Sequence, residues 1–412
     1  MSNSASSSPR LPSASNTPKP KAKAPKSEKP AKQAPKNAGP GKAAKVNNAS
    51  KGGAASSSST PAAKKISPLF AHLEEREYPA TTAQAPSGVH PCVRSLGLQF
   101  AELKICGSTA RCLAMLNAFK QVIEDYQTPS QTTLCRHLPT YLSIQISYLV
   151  SMRPMAVTMG NAIRFLKYHI SILDIDLPES DAKGQLIEKI DEFIRDRITA
   201  ADRLIVQYGL QKIQDGDVVL TYACSSIVKT LLIAAHQAGI QFRVIVIDSR
   251  PLLEGLKLLR DLATAGLACT YAYINSISST MKEATKVFLG THAVLANGAL
   301  FSRAGTALVA MTAHRRNIPV IVFSEIYKFT ERVQLDSVVM NELGDPHDLA
   351  AHKDGSPIDP AASLTNWKSV NNLNLLTLMY DVTPTEYLSM AITEVGMIPF
   401  TSVPVVLREY RL

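Results

Sequence analysis

Gln214-Asp215-Gly216-Asp217-Val218-Val219-Leu220-Thr221-Tyr222-Ala223-Cys224-Ser225-Ser226 is where the hydrophobic period of this chain changes. Upstream, apolar residues recur every three or four positions. Here an Asp-Gly turn leads into a short, nearly all-apolar run rich in β-formers, followed by polar residues that open a helical pattern. That is the signature of a strand buried on both faces. Similar runs follow at 243–247, 269–274, 293–296 and 319–323, separated by helical stretches at 226–238, 251–265, 278–289 and 302–317. Short apolar strands alternating with helices predict a parallel sheet covered on both sides. Ligands of such sheets lie outside the carboxyl ends of the strands. Those ends are expected at Cys224-Ser225-Ser226, Asp248-Ser249-Arg250-Pro251, Asn275-Ser276, Asn297-Gly298 and Ser324-Glu325.

Working backwards, the 92–210 region reads as four or five helices. Leu113, Leu116, Phe119 and Ile123 share one face over 110–126. Further helices are predicted over 134–152, 155–173 and 185–208, the last carrying Ile187, Ile190, Ile194, Ile198 and Ile205. The organisation expected is a disordered tail over 1–65, a connecting arm over 66–90, a helical domain over 91–212 and a Rossmann-like α/β domain over 213–412. Within the last, 341–369 has a loop composition and holds Trp367, the single tryptophan.

The charge is concentrated at one end. Residues 1–65 contain 13 of the 44 Lys and Arg but one of the 34 Asp and Glu, so the tail carries +12 and the remainder −2. Lys, Ala, Pro and Ser dominate it and its first aromatic is Phe70, beyond the tail. Such a segment cannot bury enough apolar surface to offset the entropy of ordering. It serves either as a solvated arm or in nonspecific RNA contact through phosphate charge; without aromatics it has no stacking platform for bases. No stretch has the apolar core of a signal peptide. No apolar run reaches the roughly 18 residues that cross a bilayer. The six cysteines (92, 106, 112, 135, 224 and 269) form no Cys-x-x-Cys pair, which speaks against zinc or a disulfide framework. A cytoplasmic protein with reduced thiols and no membrane contact is expected.

Phosphate-binding glycine motifs are missing after the first strand, so nucleotide-cofactor and NTPase readings are weak, and no cofactor or metal is expected. Ser225 and Ser226 either cap the helix after Cys224 or, with its backbone amides and Arg303, hold an anion. Cys224 at that helix N-terminus is a candidate low-pKa thiol, and His292 a group able to titrate near neutrality. Asp248-Ser249-Arg250-Pro251 reads as an N-cap with an early-helix proline. Glu254 and Leu258 stand four apart on the helix that follows, and Arg153-Pro154 opens another.

Gly290-Thr291-His292-Ala293-Val294-Leu295-Ala296-Asn297-Gly298, continuing to Arg303-Ala304-Gly305-Thr306, resembles a motif of the methylthioribose-1-phosphate isomerases, as does Thr221-Tyr222-Ala223-Cys224-Ser225-Ser226. Arg153-Pro154 also resembles a segment of that family. The resemblance places the family's catalytic Cys at Cys224 and its catalytic Asp at His292, so the thiol is kept and its acid partner lost. Other segments are similar to the regulatory subunit family of eukaryotic translation initiation factor 2B, its delta branch in particular. They are Val244-Ile245-Val246-Ile247-Asp248-Ser249-Arg250-Pro251-Leu252-Leu253-Glu254-Gly255, Tyr327-Lys328-Phe329, Asn341-Glu342-Leu343-Gly344-Asp345-Pro346, Tyr380-Asp381-Val382-Thr383-Pro384 and Gly396-Met397-Ile398-Pro399. The similarity runs in order over about 90–412.

That resemblance implies a non-catalytic regulatory subunit of the guanine nucleotide exchange factor for initiation factor 2. Its partners would be the alpha, beta, gamma and epsilon subunits of the same complex. It would also help to sense the phosphorylated alpha subunit of initiation factor 2. By the same analogy Cys224, Ser225, His292 and Arg303 form a vestigial isomerase pocket, and Glu254 and Leu258 lie near the partner surface. The alternative is a sugar-phosphate (aldose–ketose) isomerase, which would need an acid where His292 stands.

Overall fold

The computed structural model describes residues 67–73, 86–350, 364 and 366–410. The tail expected over 1–65 and much of the arm lie outside the described residues.

The chain first winds into α1 Pro91–Ala101, α2 Ser108–Asp125, α3 Leu134–Met152, α4 Val157–Ser171, α5 Glu179–Phe193 and α6 Ala201–Leu210. Pro91 opens α1, where its missing N–H costs nothing, and the His90 ring accepts the Cys92 N–H at the cap. The helix expected over 185–208 is a longer rod, because Ile194–Ala200 joins α5 to α6 with wider π-type winding. Phe100, Met115, Phe119, Ile123, Leu142, Leu166 and Ile190 meet in one apolar core, into which Tyr327 from the other end of the chain is inserted.

The rest alternates as β1 Val218–Tyr222, α7 Ser226–Gln237, β2 Arg243–Asp248, α8 Gly255–Thr264, β3 Ala268–Tyr273, α9 Ile277–Thr280, β4 Lys286–Gly290, β5 Ala293–Leu295, β6 Leu300–Arg303, α10 Thr306–Arg315, β7 Val320–Phe323, β8 Phe329–Thr330, α11 His347–Ala350, β9 Tyr380–Thr383, β10 Met390–Thr393, β11 Gly396–Ile398 and α12 Val403–Glu409. The main sheet has the order β11-β10-β7-β4-β1-β2-β3. It is parallel apart from the β10–β11 hairpin. Val219 pairs with Val244 on one side and Lys286 on the other. Period-2 alternation divides the strands between two cores. Leu220, Ile245, Val287 and Val322 face α10 and α12, while Val219, Val244, Phe288 and Phe323 face α7 and α8.

Three expectations are corrected. Over 278–289 the helix stops at Thr280, and β4 runs through the centre of the sheet. Its apolar signal is only Val287-Phe288-Leu289, shorter than any helical window. Residues 293–296 do form a strand, but it belongs to a second sheet of order β8-β5-β6-β9, so Asn297-Gly298 is not a carboxyl end of the main sheet. The helix expected to open at 251 starts at Gly255. Asp248 still caps it from a distance, its Oδ2 accepting the Leu256 N–H at 3.2 Å.

The helices and the sheets are joined by buried polar contacts. Arg153, directly after α3 rather than opening a helix, donates through Nε to Glu342 at 2.9 Å and through Nη2 to the Tyr380 hydroxyl at 3.3 Å. Asn161 Nδ2 donates to the carbonyls of Tyr327 and Phe329 at 2.8 and 3.1 Å. Among the described residues no helix is long and apolar enough to cross a membrane.

Candidate ligand cavity

The direction of strand addition reverses between β1 and β4. Loops leaving such neighbours diverge and open a crevice at the carboxyl ends. A cavity of about 560 Å³ lies there. Its floor comes from Cys224, Ser225 and Ser226 after β1 and from Gly290, Thr291 and His292 after β4. Leu252–Glu254 ahead of α8 and Ser302 and Arg303 of β6 form one side; residues 103–110, between α1 and α2, form the other.

Six residues singled out in the sequence therefore share one cavity: Cys224, Ser225, Ser226, Glu254, His292 and Arg303. Leu258 does not join them. It is fully buried with Leu262 beneath α8, so its side chain has no surface to offer a partner.

The turn out of β1 is tight. Ala223 adopts a left-handed φ of 56° while its N–H stays on the Ile247 carbonyl at 2.9 Å. Ser225 occupies the N-cap of α7 but makes no side-chain cap hydrogen bond. It packs instead against Gly290, where a Cβ would lie 2.1 Å from the Ser225 Oγ. The glycine of β4 is thus what lets the two loops close together.

Cations dominate the wall: Lys104, Lys229, Lys257, Arg303 and Lys328, against Glu254 as the one carboxylate in the lining. Lys229 and Lys328 are paired with Asp261 and Glu325, at 2.9 and 2.7 Å, and those carboxylates stay out of the lining. Arg303 grips Glu254 with both arms, Nε to Oε2 at 2.7 Å and Nη2 to Oε1 at 2.6 Å. Its guanidinium also lies 5.1 Å from the centre of the Tyr380 ring.

This environment sets the protonation of the candidates against proton-transfer chemistry. Burial, and then the charge of Glu254, push the Cys224 thiol up. Burial holds His292 well below its ordinary range, reinforced by Arg111, Arg303, Arg153 and Lys328, so it is neutral rather than poised at pH 7. Burial alone would raise Tyr380, but Arg303, Arg153 and Arg111 outweigh it and lower the phenol. The cavity thus combines a cationic lining with a neutral His292 and a protonated Cys224 thiol.

Several of these residues escaped the sequence reading. Lys229 and Lys257 each lie in the first turn of the helix that follows a strand, a signal that could have been used. Lys104, Lys328 and Tyr380 reach the cavity only through tertiary packing.

Residues 104–400 match the initiation factor 2 subunit family. The chain belongs to that family. It is 51% identical over 348 residues to translation initiation factor eIF2B subunit delta of Schizosaccharomyces pombe, covering 84% of this chain and 74% of that protein. It is 30% identical over 311 residues to the ribose 1,5-bisphosphate isomerase of Pyrococcus furiosus, covering 75% of this chain and 90% of that enzyme. Among solved structures it is similar to a chain of the tetrameric eIF2B-beta2-delta2 complex from C. thermophilum. That match has a TM-score of 0.70 and 35% identity over 81% of this chain and 100% of that one. The family thus joins initiation factor subunits to relatives that are isomerases.

Beside Lys328 lies an acidic group: buried Glu325 after β7 with the partly buried Asp202 of α6 and Glu394 after β10. Glu394 accepts the Ile326 N–H at 3.0 Å. Burial, with the charge of Glu325 next, raises Asp202 well above its usual range; burial raises Glu394 to about 7. Unfolded carboxyls titrate near 4. The folded chain therefore keeps protons that the unfolded chain has released. The stability this supplies is complete below about pH 4 and is lost as pH rises through neutrality. The melting temperature is expected to fall between about pH 5 and pH 8 and to level off above that, and Asp202→Asn to flatten that fall. An equal slope in the variant would exclude Asp202 as its source.

Proposed function

We propose that this chain is a non-catalytic, delta-type regulatory subunit of the guanine nucleotide exchange factor for translation initiation factor 2. The observation that carries this reading is the 51% identity with the fission yeast delta subunit over 84% of the chain. In this reading it assembles with alpha, beta, gamma and epsilon subunits in the cytoplasm and helps to sense the phosphorylated alpha subunit of initiation factor 2. The helices over 91–212 and the α/β part over 213–412 act as two domains. The main sheet, whose parallel strands taken in chain order run 3-2-1-4-5-6, is Rossmann-like. The tail adds loose contact with RNA.

Cys224, Ser225, His292 and Arg303 are read as the remnant of an isomerase pocket. An isomerase moving protons between adjacent carbons needs an acid–base pair within reach of its substrate. Here the thiol is raised, His292 is neutral, and Glu254 is engaged by Arg303. Glu254 bears on partners from inside the cavity wall, and Leu258 through packing alone.

The test is native mass spectrometry of the tagged chain purified from its own cells. The expected result is one large assembly containing four other kinds of subunit. A free homodimer carrying sugar phosphate would overturn the proposal and favour the isomerase.

A further inference from the structure

The segment 249–254 forms a strap at the cavity: Leu252, Leu253 and Glu254 line the main cavity, while Ser249–Leu252 and Glu254 line a smaller neighbouring one. Both its ends are fixed by Asp248, whose carboxylate accepts from Ser249 N at 2.9 Å and Leu256 N at 3.2 Å. Gly255 seats the far end closely, since a Cβ there would lie 2.7 Å from Asp248 Cγ. Between those anchors Leu253 is held in a left-handed conformation, φ 51°, which a branched-chain residue adopts only under restraint. Two side-chain ties span the strap: Ser249 Oγ to the Tyr222 hydroxyl at 2.7 Å, and the two-armed Glu254–Arg303 pair. Arg303 has more to offer than Glu254 takes, for its Nη1 is buried without a protein hydrogen-bond partner.

We propose that the Glu254–Arg303 pair is a displaceable latch: a small phosphate-bearing anion entering the cavity competes with the Glu254 carboxylate for Arg303 and releases the strap 249–254. A carboxylate and a phosphate match the same planar fork of a guanidinium, so a phosphate that first lands on the unpartnered Nη1 and then takes the Nε–Nη2 edge of Arg303 must displace Glu254 from it. Glu254 supplies an internal stand-in for the ligand. Occupancy of the cavity then becomes a change in the outer surface at Arg250, which is exposed. The latch is a property of the isolated chain and does not rest on the delta-subunit reading.

The experiment pairs calorimetric titration with inorganic phosphate and hydrogen–deuterium exchange over 249–256, in wild type and Glu254→Gln at matched ionic strength. If the latch is closed about nine-tenths of the time, the variant binds phosphate about tenfold more tightly, since affinity is reduced by the fraction of chains that are open. In the wild type, phosphate speeds exchange across the strap; in Glu254→Gln that exchange is fast beforehand. Equal phosphate affinity in the two proteins, no binding by either, or a wild-type strap that does not respond to bound phosphate would each overturn the latch. The wild-type exchange reading stands even if the variant folds poorly.

Discussion

Arg153→Met is expected to destabilise the chain by about 3–5 kcal/mol, the usual cost of removing one member of a buried ion pair. Arg153 is fully enclosed and Glu342 is 6% exposed. The guanidinium also reaches the Tyr380 hydroxyl. The substitution takes the positive charge away from a carboxylate that water barely reaches. A second substitution should restore much of the loss. In Arg153→Met/Glu342→Met no charge remains to be solvated, and exchanging such a pair for apolar side chains is often neutral or better. Urea unfolding of the two variants measures both. A loss below about 1 kcal/mol in the single variant, the range of exposed pairs, would mean that this join is solvated in solution.

Gly305→Ala is the second large effect. Gly305 has φ +108°, a region that costs a side-chain-bearing residue about 1–3 kcal/mol. The new methyl group would lie 2.3 Å from the Tyr222 hydroxyl oxygen and 2.7 Å from Ile274 Cδ1, and such overpacking adds about 1–3 kcal/mol. The expected total is about 2–6 kcal/mol. Tyr222 cannot simply step aside, because its hydroxyl ties Ala304 to Ser249. Thermal unfolding gives the magnitude. An unchanged melting temperature would show that the Tyr222 ring moves freely, contrary to its buried position.

Much of the architecture was legible because local signals agreed with one another. The strand Val218–Tyr222 was legible from an Asp-Gly turn before a β-rich run, and the helix Leu134–Met152 runs over the bounds expected for it in spite of Pro139 inside it. β4 was missed because three apolar residues carry no period, and its identity as a central strand comes from β1 and β7 on either side. Leu258 shares a helical face with Leu262, so spacing alone pointed it into the core; analogy drew it outward. The cavity floor could be read because a strand-to-helix junction declares itself locally. Its other wall at 103–110, and the pairing of Glu254 with Arg303, depend on tertiary approach and leave no trace in spacing.

The position of Tyr327 bears on how the chain comes off the ribosome. The core of the helical half is complete in sequence by Ile198, except for that one ring. At elongation rates of about 5–20 residues per second, Tyr327 is synthesised roughly 6–26 s after Ile198. For that interval the nascent helices surround an unfilled socket, with Asn161 and Arg153 still waiting for partners from the distal half. Arg153 waits longer still, until Glu342 and Tyr380 have followed Tyr327 out.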